Sequence, residues 1–172
     1  MEQACVHIYT GNGKGKTTAA AGLAARALGQ GLRVGFFQFL KNGMSGETIS
    51  LAKLGAVVVS PMGSGKFLWD MNQEEKAACA AKQDETLARA IEMAPGFDLL
   101  VLDEVICAVE AGVLSRQKLV SFIENKPAAL ELVLTGRGEC TGLLELADYV
   151  TEMGEKAHPY NKGLAARKGV EF

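Results

Sequence analysis

The chain has 172 residues, 48% of them hydrophobic and 22% charged, which suffices for one hydrophobic core and fits neither a disordered nor a membrane-embedded chain. Eighteen Lys and Arg face twenty Asp and Glu, so no overall basic excess favours nonspecific nucleic-acid binding. Cys5, Cys79, Cys107 and Cys140 form no CxxC pair, there are only two histidines, and no leader or bilayer-spanning apolar run is visible. These features argue against a zinc cluster and predict a cytoplasmic chain of reduced thiols with neither a nucleic-acid nor a membrane partner.

Short apolar stretches alternate with helical patterns, as in strands buried on both faces by crossover helices. The predicted strands are 6–9, 34–40, 56–59, 99–103 and 132–135, with a weaker sixth over 149–152. Lys16 to Leu28 is an Ala-rich helix able to lie close on a sheet, ended by Gly29. The longest helix starts at Gln73, behind Asn72 as N-cap with Glu75 three residues on, and stops at Ala94 before Pro95-Gly96. Ala77, Ala81, Ala88, Ile91 and Ala94 are its expected apolar face. A further helix is expected over 116–125 and a short one after Thr141. The order predicts a single domain over residues 1–172: an α/β fold with one open, mostly parallel sheet.

Gly11-Asn12-Gly13-Lys14-Gly15-Lys16-Thr17-Thr18 lies between the first strand and the Ala-rich helix. Glycines there let backbone N–H groups turn onto an anion, and the helix N-terminus adds partial positive charge. Lys16 would reach phosphate oxygens and the Thr17 hydroxyl a Mg²⁺ ion. The common GxxxxGK[ST] pattern is altered, because Thr10 stands at the first glycine position. Gly63-Ser64-Gly65-Lys66 is a partial second copy with Phe67 where the hydroxyl belongs, and is read as a decoy.

Leu99 to Glu104 is an apolar strand ending in two acids, as expected if Asp103 or Glu104 meets Mg²⁺ directly or through water. Thr135-Gly136-Arg137-Gly138 ends another strand at the same carboxyl edge, where open α/β sheets bind ligands. Arg137 is there either a phosphate contact or part of a plain turn.

Thr10-Gly-Asn-Gly-Lys-Gly-Lys-Thr-Thr18, Gln38-Phe-Leu-Lys41, Phe67-Leu-Trp69, Val101-Leu-Asp-Glu104 and Leu134-Thr-Gly-Arg-Gly138 occur in that order. With the tail Lys156-Ala-His-Pro-Tyr-Asn-Lys-Gly163 and Gly169-Val-Glu-Phe172, they resemble the P-loop type of ATP:corrinoid adenosyltransferases over nearly the whole chain. The resemblance implies a three-layer, P-loop NTPase-like (RecA-like) fold and transfer of the 5′-deoxyadenosyl group of ATP to Co(I) of a reduced corrinoid, with triphosphate leaving. It implies that Asn12, Gly13, Lys14, Gly15, Lys16, Thr17 and Thr18 hold the triphosphate with Arg137, and that Mg²⁺, or Mn²⁺, lies near Thr17, Asp103 and Glu104. Phe67 and Trp69 would lie under the corrinoid ring and keep water from the axial position of cobalt, while Lys14, Lys16 and Arg137 stabilise the leaving group. ATP would lie reversed relative to a P-loop kinase. A flavodoxin or flavin reductase as electron donor, a homodimer and a place in adenosylcobalamin biosynthesis are implied with it.

Family members usually have an N-terminal extension that helps cover the corrinoid, and only Met1 to Cys5 precede the first strand here. That cover would then be absent, or supplied by another segment or a partner chain. His158 is left without a chemical role. The loop and the Asp103-Glu104 pair by themselves would equally suit a P-loop phosphotransferase or NTPase releasing ADP, and a non-enzymatic corrinoid carrier gated by nucleotide is the third reading.

Overall fold

The computed structural model describes residues 3–41, 43, 45–61, 66 and 68–171. Six strands form one sheet: β1 (Val6–Thr10), β2 (Val34–Gln38), β3 (Val57–Val59), β4 (Leu99–Asp103), β5 (Glu131–Thr135) and β6 (Tyr149–Glu152). Their order is β3-β2-β4-β5-β1-β6, and every neighbouring pair is parallel. All five residues of β2 and of β4 are buried, as parallel strands covered on both faces must be, whereas β6 at the edge is exposed throughout.

Alternation along the strands sends successive side chains into two separate cores. On one face Phe36, Leu99, Val101 and Val133 meet Ala20, Ala24 and Ala27 of α1 (Lys16–Gly29) and Leu51 of α2 (Gly46–Lys53). Alanines at that spacing put a side of minimal bulk against the sheet, so α1 can approach closely. On the other face Phe37, Leu100, Leu102, Leu132 and Leu134 pack against α3 (Gln73–Met93), α4 (Val105–Glu110) and α5 (Arg116–Glu124). This is the expected three-layer α/β architecture.

Several local expectations change. Gly29 is the last residue of α1, and the left-handed glycine beyond the helix is Gly31 (φ 76°). The capping box of Asn72 and Glu75 is present on α3, but its buried face is Gln83, Thr86, Leu87 and Ala90, continuing to Ala94. Ala77, Ala81, Ala88 and Ile91 face outward. The buried polar members have partners: Gln83 Oε1 accepts the Leu40 N–H and Thr86 Oγ1 donates to the Lys82 carbonyl. After Thr141 there is only a 3₁₀ turn, Leu144–Leu146. Helices α2 and α4 are additions to the elements expected from sequence.

Candidate functional site

The carboxyl ends of β1, β5, β4 and β2 lie side by side, so their loops converge on one rim of the sheet. The loop after β1 runs into α1 through Gly15, whose φ of 118° lies in the left-handed region and suits glycine. Lys16, 6% exposed, donates through Nζ to the Gly11 carbonyl at 2.6 Å and the Gly13 carbonyl at 2.8 Å. Burial, and next the field of Arg137, lowers its pKa from the usual lysine value. A cation held so close to others strengthens the site's attraction for an anion.

The loop departs from a cradle in which every glycine N–H is turned toward an anion. The Gly13 N–H donates to the Met153 carbonyl at 2.6 Å, because the loop is seated on the segment that leaves β6. A Cβ on Gly13 would stand 2.7 Å from the Met153 carbonyl oxygen and 2.8 Å from that of Gly154. Close backbone approach therefore requires glycine at this position.

Asp103, the last residue of β4, is fully buried and is the hub of the site. Its Oδ1 accepts the hydroxyls of Thr17 at 2.8 Å and Thr135 at 2.7 Å. Its Oδ2 accepts Lys41 Nζ at 2.8 Å and the Gln38 amide at 3.3 Å. Lys41 also donates to Thr17 Oγ1 at 3.3 Å. Burial works against the Lys41 charge, but the charge and hydrogen bond of Asp103 overcome it and raise the pKa. Glu104 follows at φ 63°, left-handed for a residue with a side chain, and its N–H donates to Thr135 Oγ1 at 2.9 Å. It acts electrostatically on both Lys16 and Lys41.

Arg137 is exposed on the loop after β5, and its backbone N–H donates to Cys107 Sγ at 3.0 Å. Burial, with Glu104 nearby, pushes the Cys107 thiol up to about 12. It is therefore a neutral structural group and not a nucleophile. Asn12, Lys14 and Thr18 are exposed on the loop and α1. Glu171 of the tail is held at about 2, chiefly by its hydrogen bonds with Arg167 and more weakly by the charge of Lys14.

A cleft of about 1400 Å³ opens beside this cluster and is lined by Lys41, Glu104, Arg137, Trp69 and Glu171 among others. It exceeds the roughly 300–1,000 Å³ of ordinary small-molecule pockets. Trp69 lies in a 3₁₀ turn, Leu68–Asp70, and is 76% exposed. Phe67 and Gly63 to Gly65 lie outside the described residues, while Lys66 pairs with Glu75 at 2.5 Å. Thus Lys16, Thr17, Asp103, Glu104 and Arg137 are gathered at one rim, and Trp69 shares the adjoining cleft.

Sequence reasoning assigns no role to Lys41, Gln38, Glu47 or Thr135. For Gln38, Lys41 and Thr135 the available signal is position, at or just beyond the carboxyl end of a strand neighbouring the Asp103 strand. Among the described residues no group of three His, Cys, Asp or Glu side chains could hold a metal. The hard oxygens of Thr17, Asp103 and Glu104 instead suit an ion such as Mg²⁺ that takes few protein ligands and completes its shell with phosphate and water.

A parallel sheet with a glycine loop leading into a helix and an acid-ended neighbouring strand defines a nucleotide-binding α/β protein. A solved structure of flagellar accessory protein FlaH from Methanocaldococcus jannaschii shares the fold, with TM-score 0.57 and 14% identity over 88% of this chain and 72% of that one. Residues 2–172 match the family described as ATP:corrinoid adenosyltransferase BtuR/CobO/CobP. A corrinoid adenosyltransferase of Pseudomonas aeruginosa is 37% identical over 99% of this chain and 85% of its own length. The corrinoid adenosyltransferase of Escherichia coli K12 is 33% identical, and corrinoid adenosyltransferase CobA of Salmonella typhimurium 34%, each over 99% of this chain and 87% of the relative. The chain belongs to the ATP:corrinoid adenosyltransferase family and is an enzyme of ATP-dependent corrinoid adenosylation. No helix among the described residues is long and apolar enough to cross a membrane.

Proposed function

We propose that residues 1–172 act as one catalytic domain, with the triphosphate of ATP on the loop Asn12 to Thr18 and the corrinoid in the adjoining cleft. The observation that carries this is the convergence of buried Lys16 and Asp103 with half-buried Thr17 beside a cleft that is lined by Lys41, Glu104 and Arg137 and also contains exposed Trp69. Lys14, Lys16 and Arg137 supply fixed positive charge where triphosphate develops as the leaving group, so little reorganisation accompanies its departure. Thr17, Asp103 and Glu104 would hold Mg²⁺, or Mn²⁺, which neutralises phosphate charge when bound. The hydrogen bond from Thr17 to Asp103 uses the hydroxyl's proton, and Lys41 takes one of its lone pairs, which leaves the other for a cation.

The nucleophile is Co(I) of the reduced corrinoid substrate, which attacks C5′ of ATP. The Co–C bond forms as the C5′–O bond breaks, and the bonding electrons leave on triphosphate. Phe67 and Trp69 are assigned to the lower face of the corrinoid, where an apolar wall excludes axial water and makes reduction of Co(II) easier. Exposure of Trp69 to the cleft supports that assignment. A flavodoxin or flavin reductase donates the electron, and the enzyme works in the cytoplasm as a homodimer.

Incubation with ATP, Mg²⁺ and chemically reduced cobalamin tests this reading. Chromatography is expected to show triphosphate and the spectrum an adenosylated corrinoid. ADP as the nucleotide product would establish phosphoryl transfer in its place, and binding without turnover a carrier.

A further inference from the structure

Lys41 bonds to two of the three residues proposed to hold the metal. Its Nζ touches both Thr17 Oγ1 and Asp103 Oδ2, two members of the oxygen set assigned to the ion. On its other side Glu47 Oε1 lies 3.8 Å away. The arrangement is built by buried residues. Leu40, left-handed at φ 55°, turns the chain out of β2, and its N–H is held by Gln83, which is 2% exposed. Gln38, fully buried, donates its amide to Asp103 Oδ2 and to Glu47 Oε1 at 3.3 Å each, and Ser60 Oγ donates to its Oε1 at 3.0 Å. The two carboxylates flanking Lys41 are thereby tied to one side chain. The Lys41 side chain is 29% exposed, so the ammonium can move where Asp103 cannot.

We infer that Lys41 is a built-in substitute for the divalent cation: without nucleotide its ammonium sits between Thr17 and Asp103 and keeps free metal out, and when Mg-ATP binds it shifts toward Glu47. A free Mg²⁺ ion would have to displace a charge already matched to Asp103, with only a few protein oxygens to replace its water. The nucleotide complex brings phosphate oxygens that complete the shell, and its negative charge offsets the approach of the ion to Lys16 and Lys41. Metal and nucleotide then bind as one unit. The inference rests on the metal site proposed at Thr17, Asp103 and Glu104.

Manganese binding to the full chain, read by equilibrium dialysis as the excess of Mn²⁺ on the protein side, tests it with and without ATP. Wild type is expected to take up Mn²⁺ only with ATP. Lys41→Gln is expected to bind nucleotide-free Mn²⁺ roughly tenfold or more tightly than wild type, the factor that about 1.4 kcal/mol controls. Lys41→Arg, which keeps the charge, should exclude the ion as wild type does. Equal nucleotide-free affinity in wild type and Lys41→Gln overturns the role of Lys41. Failure of wild type to take up Mn²⁺ even with ATP overturns the metal site itself. Should Lys41→Gln fold poorly, Glu47→Gln decides the matter: it should still exclude free Mn²⁺ but take up Mn²⁺ with ATP several-fold more weakly, and unchanged uptake would refute the shift.

Discussion

Asp103 offers the sharpest test of how the site is held together, because it is fully buried and accepts four hydrogen bonds from Thr17, Thr135, Lys41 and Gln38. In Asp103→Asn the best amide orientation keeps the carbonyl toward Lys41 and Gln38 and turns the NH₂ toward the two hydroxyls, which can rotate to accept. Hydrogen bonding survives and the charge is lost. The Lys41 bond keeps the charge of its donor, while the other three fall from about 1.5–3 kcal/mol for bonds to a charged group to about 0.5–1.5 for neutral ones, which predicts a loss of about 3 kcal/mol. Asp103→Ala leaves the Lys41 ammonium, the Gln38 amide and two hydroxyls without their acceptor. Breaking a buried pair from one side costs about 3–5 kcal/mol, to which the cavity adds roughly 1 more. Urea unfolding of the two variants should therefore rank Asn above Ala, with Asp103→Asn melting roughly 6–12 °C below wild type at about 2–4 °C per kcal/mol. A loss under about 1 kcal/mol for Asp103→Asn, or an alanine variant no worse than the asparagine one, would refute the hub.

Trp69→Ala should leave unfolding free energy within about 0.5 kcal/mol of wild type, as expected for an exposed side chain, and leave ATP affinity intact. It should slow adenosylation with a flavin donor, and a normal rate there would remove Trp69 from the corrinoid face. Gly13→Ala drives a Cβ into two backbone carbonyls that cannot rotate away, so a stability loss of about 1–3 kcal/mol and weaker ATP binding by calorimetry are expected. Cys107 gives a pH signature. Its folded pKa of about 12 lies above the ordinary 9.0, so the unfolded thiol ionises first and stability falls as pH rises from 9 toward 12. Cys107→Ser should flatten that part of the alkaline loss measured by urea midpoints, and an unchanged slope would place the titration elsewhere.

The strands are legible in the sequence because buried parallel strands are short apolar runs, and β4 shows it with all five residues buried. Helix α4 is not legible: Val105–Glu110 reads VICAVE, a β-branched apolar run, and only the left-handed turn at Glu104 and the two-sided burial around it make it helical. Helix α2 is short, with only Thr48 and Leu51 buried, too few for a periodic signal. The face of α3 is misjudged from sequence because alanines are neutral about burial, whereas Gln83 and Thr86 go inside once hydrogen-bond partners are there to receive them.

By itself, the sequence determined the glycine loop between strand and helix, the acid-ended strand, the α/β class and, through its motifs, the family. Those features are local, since a glycine loop between strand and helix carries its chemistry in adjacent residues. Only the tertiary structure decided that Gln38 from β2, Lys41 just beyond it and Thr135 from β5 meet on Asp103, and that Gly13 is required by the backbone of Met153 and Gly154. The physical reason is that the strand order β2-β4-β5-β1 brings the ends of strands distant in sequence to one rim, and a buried carboxylate there must collect donors from whichever strands adjoin it.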